Sequence, residues 1–384
     1  MDGKRKIMIV AGEASGDMHG ARLVKEMQRL NPRLEFFGIG GSALRQAGVR
    51  IRVDNAQMAV VGVSEALLKL RVLLSALRIA KEDLKGIRPD LLIVIDFPDF
   101  NLRVATMARK MGVPVLYYIS PQIWAWRTGR VKKIKKVVDH MVVIFPFEVD
   151  FYKRWHVPVT FVGHPLLDSM SSRMAGEKKQ NLGGSGRLIG LLPGSRNEEV
   201  MRLLPTMVQV ADVVSEQIPD IQFAIPVASS VDRSLVETIA RNGAARILVL
   251  SDRLRDVLEE ATLLITASGT VTLEAAIAGT PMIIVYKVSG LSYWLGKCLI
   301  HVKHIGLANL VAGKSIVPEL IQHQVSVEKI ARKALNLLSD DSALAEMRRE
   351  LGCVTQLLGA PGASKRAAKV AMSLLSSPKL LPYD

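Results

Sequence analysis

The sequence predicts an α/β protein: two doubly wound, Rossmann-like domains facing a cleft. Three observations carry this. Short aliphatic and β-branched runs alternate with helix-length stretches along the chain. The runs are continuous rather than alternating, Leu91-Leu92-Ile93-Val94-Ile95 being the clearest, as in parallel strands covered on both faces. The alternation also breaks once, between Met170 and Arg187, and then restarts. At roughly 100–200 residues per domain, 384 residues suit two or three domains.

In order, Lys6–Ala11 reads as a buried strand. After Gly12-Glu13-Ala14-Ser15-Gly16-Asp17 a helix runs through Leu30, and Phe36–Ile39 is the second strand. Leu91–Ile95, Val115–Ile119, Met141–Ile144 and Val159–Val162 continue the series. Residues 170–187 are rich in Ser, Gly and Lys and read as a linker. The second series is Leu188–Leu192, Gln222–Pro226, Ile247–Leu250, Leu263–Thr266 and Met282–Tyr286, and helical sequence from Val327 to Ser377 closes the chain. The expected division is 1–169, a linker over 170–187, 188–344, and a helical segment 345–384 packing back on the N-terminal domain.

Composition narrows the function. Hydrophobic residues are 49% and charged residues 23%, ordinary globular usage. Two cysteines, Cys298 and Cys353, build neither a disulfide framework nor a multi-cysteine zinc site. The apolar run after the charged start, Ile7 to Ala11, is too short for a signal-peptide core. No run reaches the ~18 apolar residues of a bilayer span. The expectation is therefore a cytoplasmic protein. Lys and Arg number 51 against 36 Asp and Glu, a net charge of +15, which favours anionic partners. Aromatic content of 5% is thin for base stacking, so nucleic acid is not expected.

Ligands of doubly wound folds sit at the carboxyl ends of strands, so the loops there are the candidates. Gly12–Gly20 offers free N–H groups but lacks a dinucleotide or ATP signature. Its acids, Glu13 and Asp17, suit sugar hydroxyls better than phosphate; the plain alternative is a turn capped by Ser15 or Asp17. Asp96, directly after the Leu91–Ile95 run, is a candidate general base whose partial burial would raise its pKa, while Asp99 could cap the next helix. Trp124 and Trp126 could stack on sugar or serve the core, and Arg127 to Lys136 holds six basic residues and no acid. That run is a solvated face, or it attracts phosphate or an anionic membrane. His164 lacks a partner at metal spacing and is a hinge, substrate contact or structural residue.

In the second half, Gly194-Ser195-Arg196 presents amides and a guanidinium fork to a diphosphate. Ser268-Gly269-Thr270 opens a helix whose N-terminus favours the same group, Glu274 is placed for ribose hydroxyls, and Tyr286 is expected to frame a base. Two phosphate-friendly loops in one domain and a candidate base in the other give the division of labour of a nucleotide-sugar transferase.

Six motifs carry a resemblance. They are Ala11 to Asp17, Asp96 to Asn101, Ser120 to Trp126, Phe161 to Pro165, Leu192 to Arg196, and Ala267 to Thr270. In this order they resemble the lipid-A-disaccharide synthases, with Leu307 to Gly313 departing only by lacking a Pro before Asn309. The resemblance implies a GT-B glycosyltransferase, inverting and metal-independent, with no cofactor. It would join UDP-2,3-diacylglucosamine to 2,3-diacylglucosamine 1-phosphate (lipid X) by a β-1,6 bond and release UDP. It implies Asp96 as general base and Arg196 as the donor-site arginine. Gly194, Ser195, Ser268, Gly269, Thr270, Glu274, Tyr286 and Asn309 fall on the donor side, and Glu13, Ser15, Asp17, Trp124 and His164 on the acceptor side.

Acylated substrates imply a peripheral place on the cytoplasmic face of the inner membrane. Val60 to Ala80 suits that surface: Leu67, Leu70 and Leu74 extend its apolar face, and Lys69, Arg71, Arg78 and Lys81 suit anionic headgroups. A helix buried on two sides is the alternative. The resemblance further implies a homodimer with exchanged C-terminal segments, which residues 345–384 do not themselves indicate. Two competing readings are a UDP-sugar 2-epimerase of the same fold and a basic protein that binds anionic lipid or RNA without catalysis.

Overall fold

The computed structural model describes residues 4–58, 66–125, 128–173, 182, 186–288 and 303–376, without the side chains of 57, 66–69 and 171–173. The chain divides into two units, Met1–Ser171 with Leu358–Asp384, and Ser172–Leu357.

Unit one is built on strands β1 (Lys6–Ala11), β2 (Glu35–Gly40), β3 (Arg50–Asp54), β4 (Leu91–Ile95), β5 (Val115–Tyr118), β6 (His140–Val143) and β7 (Val159–Phe161). They form one parallel sheet in the order β3-β2-β1-β4-β5-β6-β7. Its helices are α1 (Ala14–Leu30), α2 (Ser42–Gln46), α3 (Ala66–Ile87), α4 (Pro98–Lys110), α5 (Val131–Val137), α6 (Pro146–Arg154) and α7 (Pro165–Arg173). The central strands are apolar throughout because helices cover both faces: Ile7 to Ala11 and Leu91 to Ile95 are fully buried. Each such Ile, Leu or Val contributes about 1.5–3 kcal/mol by leaving water. Chain order reverses between β1 and β4. The loops after those two strands therefore flank the switch point, where such sheets bind ligands.

Unit two repeats the plan with β8 (Leu188–Leu192), β9 (Gln222–Val227), β10 (Ile247–Ser251), β11 (Leu263–Ala267), β12 (Met282–Tyr286) and β13 (Glu319–Ile321). The parallel order is β10-β9-β8-β11-β12-β13, with the reversal between β8 and β11. The helices are α8 (Asn197–Gln217), α9 (Arg233–Ala240), α10 (Leu254–Glu260), α11 (Val271–Ala278), α12 (Leu307–Ala312), α13 (Val327–Leu338) and α14 (Asp341–Leu357). The last helix, α15 (Ala363–Ser376), belongs to unit one and packs on α1.

Two expectations shift. Residues 345–357 end α14, whose Leu344, Met347, Leu351 and Val354 are buried in unit two. Only the chain from Leu358 returns to unit one. There Ala363, Ala367, Ala368 and Ala371 are fully buried, small residues that let α15 approach closely. Ties at the crossing fix it: the Leu358 carbonyl accepts from the His164 N–H at 2.9 Å, and Arg366 Nε donates to the Val162 carbonyl at 2.8 Å. Sequence reading also passed over the edge strands β3, which is charge-rich, and β13, which has three residues. The Met170–Arg187 linker lies mostly outside the described residues.

Candidate active site

In unit one the site begins at the turn after β4. Asp96 and Phe97 both adopt left-handed backbone, each with φ of 45°, a conformation costing about 1–3 kcal/mol for such residues. The turn is held from beneath. The Asp96 carbonyl accepts from the Tyr117 hydroxyl at 2.6 Å and from Asn101 Nδ2 at 2.7 Å, and Asn101 also reaches the Ile95 carbonyl. Those supports leave the Asp96 side chain half-buried with its backbone fixed. Burial pushes its carboxyl up to about 6, the nearby Glu13 carboxylate adds to the shift, and the Phe97 N–H opposes it. A carboxylate so placed is ionised near neutral pH yet basic enough to take a hydroxyl proton.

The neighbouring loop fits around this turn. A Cβ at Gly12 would stand 2.2 Å from the Phe97 ring, so only glycine allows the β1 and β4 loops to meet. Glu13 and Ser15 are exposed at the start of α1. Asp17 cannot serve as an acceptor-binding residue in the same way. It is buried, and its carboxylate accepts from the backbone N–H groups of Gly41 (2.6 Å), Ala43 (2.9 Å) and Leu44 (3.3 Å). It caps α2 rather than its own helix.

His164 is likewise structural. It is buried, its Nδ1 accepts from the Leu166 N–H at 3.2 Å, and its ring lies 5.1 Å from that of Phe145. Burial, with His19 beside it, lowers its pKa to about 3, so it stays neutral. Trp124 is half-buried and donates from Nε1 to Glu148 Oε1 at 3.1 Å, with its ring edge-on to Phe147. Trp126 and Arg127 lie outside the described residues. Arg130 pairs with Asp99, and α5 buries Val131, Ile134 and Val137 while Lys132, Lys133, Lys135 and Lys136 face solvent.

In unit two a groove of about 950 Å³ lies over the ends of β8, β9, β10 and β11. Gly194, Ser195, Arg196, Ser268, Gly269, Thr270 and Glu274 all line it. Gly194 needs to be glycine twice over: its φ is +126°, and a Cβ would stand 2.2 Å from Glu199 Oε2. That same oxygen accepts from the Ser195 N–H at 3.0 Å, and Glu199 Oε1 lies 3.8 Å from Arg196 Nη1. The loop after β9 is tied in, with Ser230 Oγ donating to the Ser195 carbonyl at 2.8 Å. Arg196 itself projects, its side chain 81% exposed, free to close on an anion. A Cβ added at Gly269 would meet nothing within 4 Å beyond its chain neighbours, so there is open space at the start of α11.

Two donor-side expectations change. Asn309 is wholly buried, donates to the Val317 carbonyl and Glu319, and accepts from the N–H groups of Ile316 and Val317. Every polar atom of its amide is used inside the fold, so it shapes the 305–317 loop and is not a ligand contact. Tyr286 pairs with Ile321 in the β12–β13 ladder and is not part of the groove wall. Sequence reading missed Arg255, Asp252 and Ser229, which do line it. The strand-end rule was the signal that could have found them, since they follow β9 and β10.

On α3, Leu70 and Leu74 are 50% and 51% exposed, while Leu73 and Leu77 pack on the core and Ala76, Ala80 and Leu84 are buried. The Leu67 side chain and residues 59–65 lie outside those described. Among the described residues, no helix is long and apolar enough to cross a membrane, and no three His, Cys, Asp or Glu side chains gather as a metal site.

Two parallel-sheet units with ligand loops at both switch points define a two-domain GT-B-like α/β fold. Solved structures agree on the fold. A UDP-N-acetylglucosamine 2-epimerase (putative) from Listeria monocytogenes aligns with a TM-score of 0.67, covering 100% of this chain and 99% of its own at 14% identity. MurG of Acinetobacter baumannii aligns at 0.60, covering 97% and 100% at 13% identity. Sequence comparison is more particular. The model of the lipid-A-disaccharide synthetase family matches residues 7–372. The lipid-A-disaccharide synthase of Geobacter sulfurreducens is 49% identical, over 96% of this chain and 97% of that protein. That of Coxiella burnetii (strain Dugway 5J108-111) is 40% identical, over 97% and 99%. The chain belongs to the lipid-A-disaccharide synthase family and is a glycosyltransferase.

Proposed function

We propose that the protein joins UDP-2,3-diacylglucosamine to 2,3-diacylglucosamine 1-phosphate, with Asp96 as the base. The family match over residues 7–372 carries this reading. In the reaction Asp96 takes the proton of the acceptor's 6-hydroxyl. The oxygen attacks the anomeric carbon of the donor, the bond to UDP breaks, and the configuration inverts to β. Arg196, the Ser195 loop and the start of α11 stabilise the charge that develops on the diphosphate. Glu274 accepts from the ribose hydroxyls. No metal takes part in this scheme. Glu13, Ser15 and Trp124 contact the acceptor.

The acyl chains place the reaction at a lipid surface. Leu70 and Leu74, exposed beside Arg71, Arg78 and Lys81, support α3 as a peripheral membrane contact on the cytoplasmic face. A homodimer remains part of the proposal through the resemblance alone.

Incubating the protein with both substrates and a chelator tests the reading. The expected products are the tetraacyl disaccharide 1-phosphate and UDP. Epimerised UDP-N-acetylglucosamine, formed without acceptor, would instead support the epimerase whose fold this chain shares.

A further inference from the structure

Arg255 stands in the wall of the donor groove. It lies in the first turn of α10, just beyond β10. Its Nε donates to Glu259 Oε1 at 2.6 Å, which fixes the plane of the guanidinium. The side chain is 21% exposed, against 81% for Arg196, so it is a held group and not a swinging one. One of its donors, Nη1, is buried with no acceptor. A donor left in that state costs about 1–3 kcal/mol. A ligand acceptor that reaches this nitrogen would remove that penalty.

Its place in the sheet selects the part of the ligand it meets. The order runs β10-β9-β8-β11. Arg196 follows β8 and the Ser268–Thr270 turn follows β11, so on the donor-site reading a diphosphate would lie over those two neighbours. β10 is two strand spacings from β8, about 10 Å. That distance is comparable to the reach of a nucleoside diphosphate from its phosphates to its base. A guanidinium only donates. Uracil presents a carbonyl oxygen at C4, and cytosine presents an amino group there. Resting on the donor-site reading above, we propose that Arg255 donates to the C4 carbonyl of uracil and makes the site selective for uridine over cytidine nucleotides.

Titration of the full-length protein with UDP and with CDP tests this. The unaltered protein should prefer UDP. Arg255→Met should weaken UDP by roughly tenfold or more and leave CDP within about twofold, so the preference collapses. Arg255→Lys keeps a donor-only cation able to pair with Glu259, and it should retain part of the preference. The ratio of the two affinities does not depend on how much of a variant is folded. An unchanged ratio in Arg255→Met, or an equal loss of UDP and CDP as for a phosphate contact, overturns the inference. Arg196→Ala should weaken both nucleotides alike. No binding of UDP by the unaltered protein would overturn the donor-site reading itself, and the inference with it.

Discussion

Asp96 is held where a carboxylate is least comfortable, and its chemistry follows from that. Its folded pKa of about 6 lies above the ordinary 3.8, so in this window the fold holds a proton more tightly than the unfolded chain does. The ionised form therefore costs stability, from nothing near pH 4 to a constant penalty above about pH 6. Asp96→Asn should lower turnover by roughly a hundredfold or more and also raise stability by about 1–3 kcal/mol at pH 8. Melting temperatures at pH 8 and pH 4 check this: the gain should shrink in acid. In the unaltered protein, the acid limb of kcat/KM should fall as pH drops through about 6. Asn309 makes the contrasting case. Asn309→Ala leaves the Ile316 and Val317 N–H groups without their acceptor, and should cost about 2–4 kcal/mol in a denaturant titration. At this scale the sequence was half legible. A carboxylate after a buried run and a Gly-Ser-Arg turn announce themselves by position. Asp17 and Asn309 did not, because their partners lie at residues 41–44 and 316–319, and no local pattern shows a fold-back hydrogen bond.

The helices divide their surfaces in ways that make further outcomes distinct. On α3 the packed and exposed leucines are one residue apart in the sequence, Leu73 partly buried against the core and Leu74 half-exposed. Leu70→Ser with Leu74→Ser should reduce co-sedimentation with anionic vesicles while leaving the melting temperature within a few degrees. A large loss of stability would show instead that this face is core. The C-terminal helix α15 is bound to α1 through alanines, so Ala367→Leu should cost about 1–3 kcal/mol by overpacking. The strands were the most legible elements, since a parallel strand buried on both faces needs an unbroken apolar run. The edge strands β3 and β13 escaped notice for the same reason: half-covered, they carry no such run. The end of unit two was misplaced because helical sequence from 327 to 377 is continuous in pattern. The turn at Leu358, where the chain changes unit, is set by tertiary ties to His164 and Val162.

For the whole molecule, two copies of one topology carry unlike loops, and the difference between the loops is the function. Unit one offers acids, with Asp96 raised and Glu13 exposed beside it. Unit two offers amides and guanidinium groups around a groove. Charge of +15 suits phosphorylated, acylated substrates at an anionic surface. If Arg196 and helix N-termini do the work assigned to them, chelator should leave turnover unchanged within error. A loss restored by a divalent cation would contradict that. The central claim is a division between a base in one unit and a diphosphate grip in the other. It is tested most directly by measuring, on purified Asp96→Asn, both the rate of disaccharide formation and the affinity for UDP. The account predicts a rate lowered by roughly a hundredfold or more, with UDP affinity within about twofold of the unaltered protein. A rate near that of the unaltered protein, or an equal fall in UDP affinity, would contradict it.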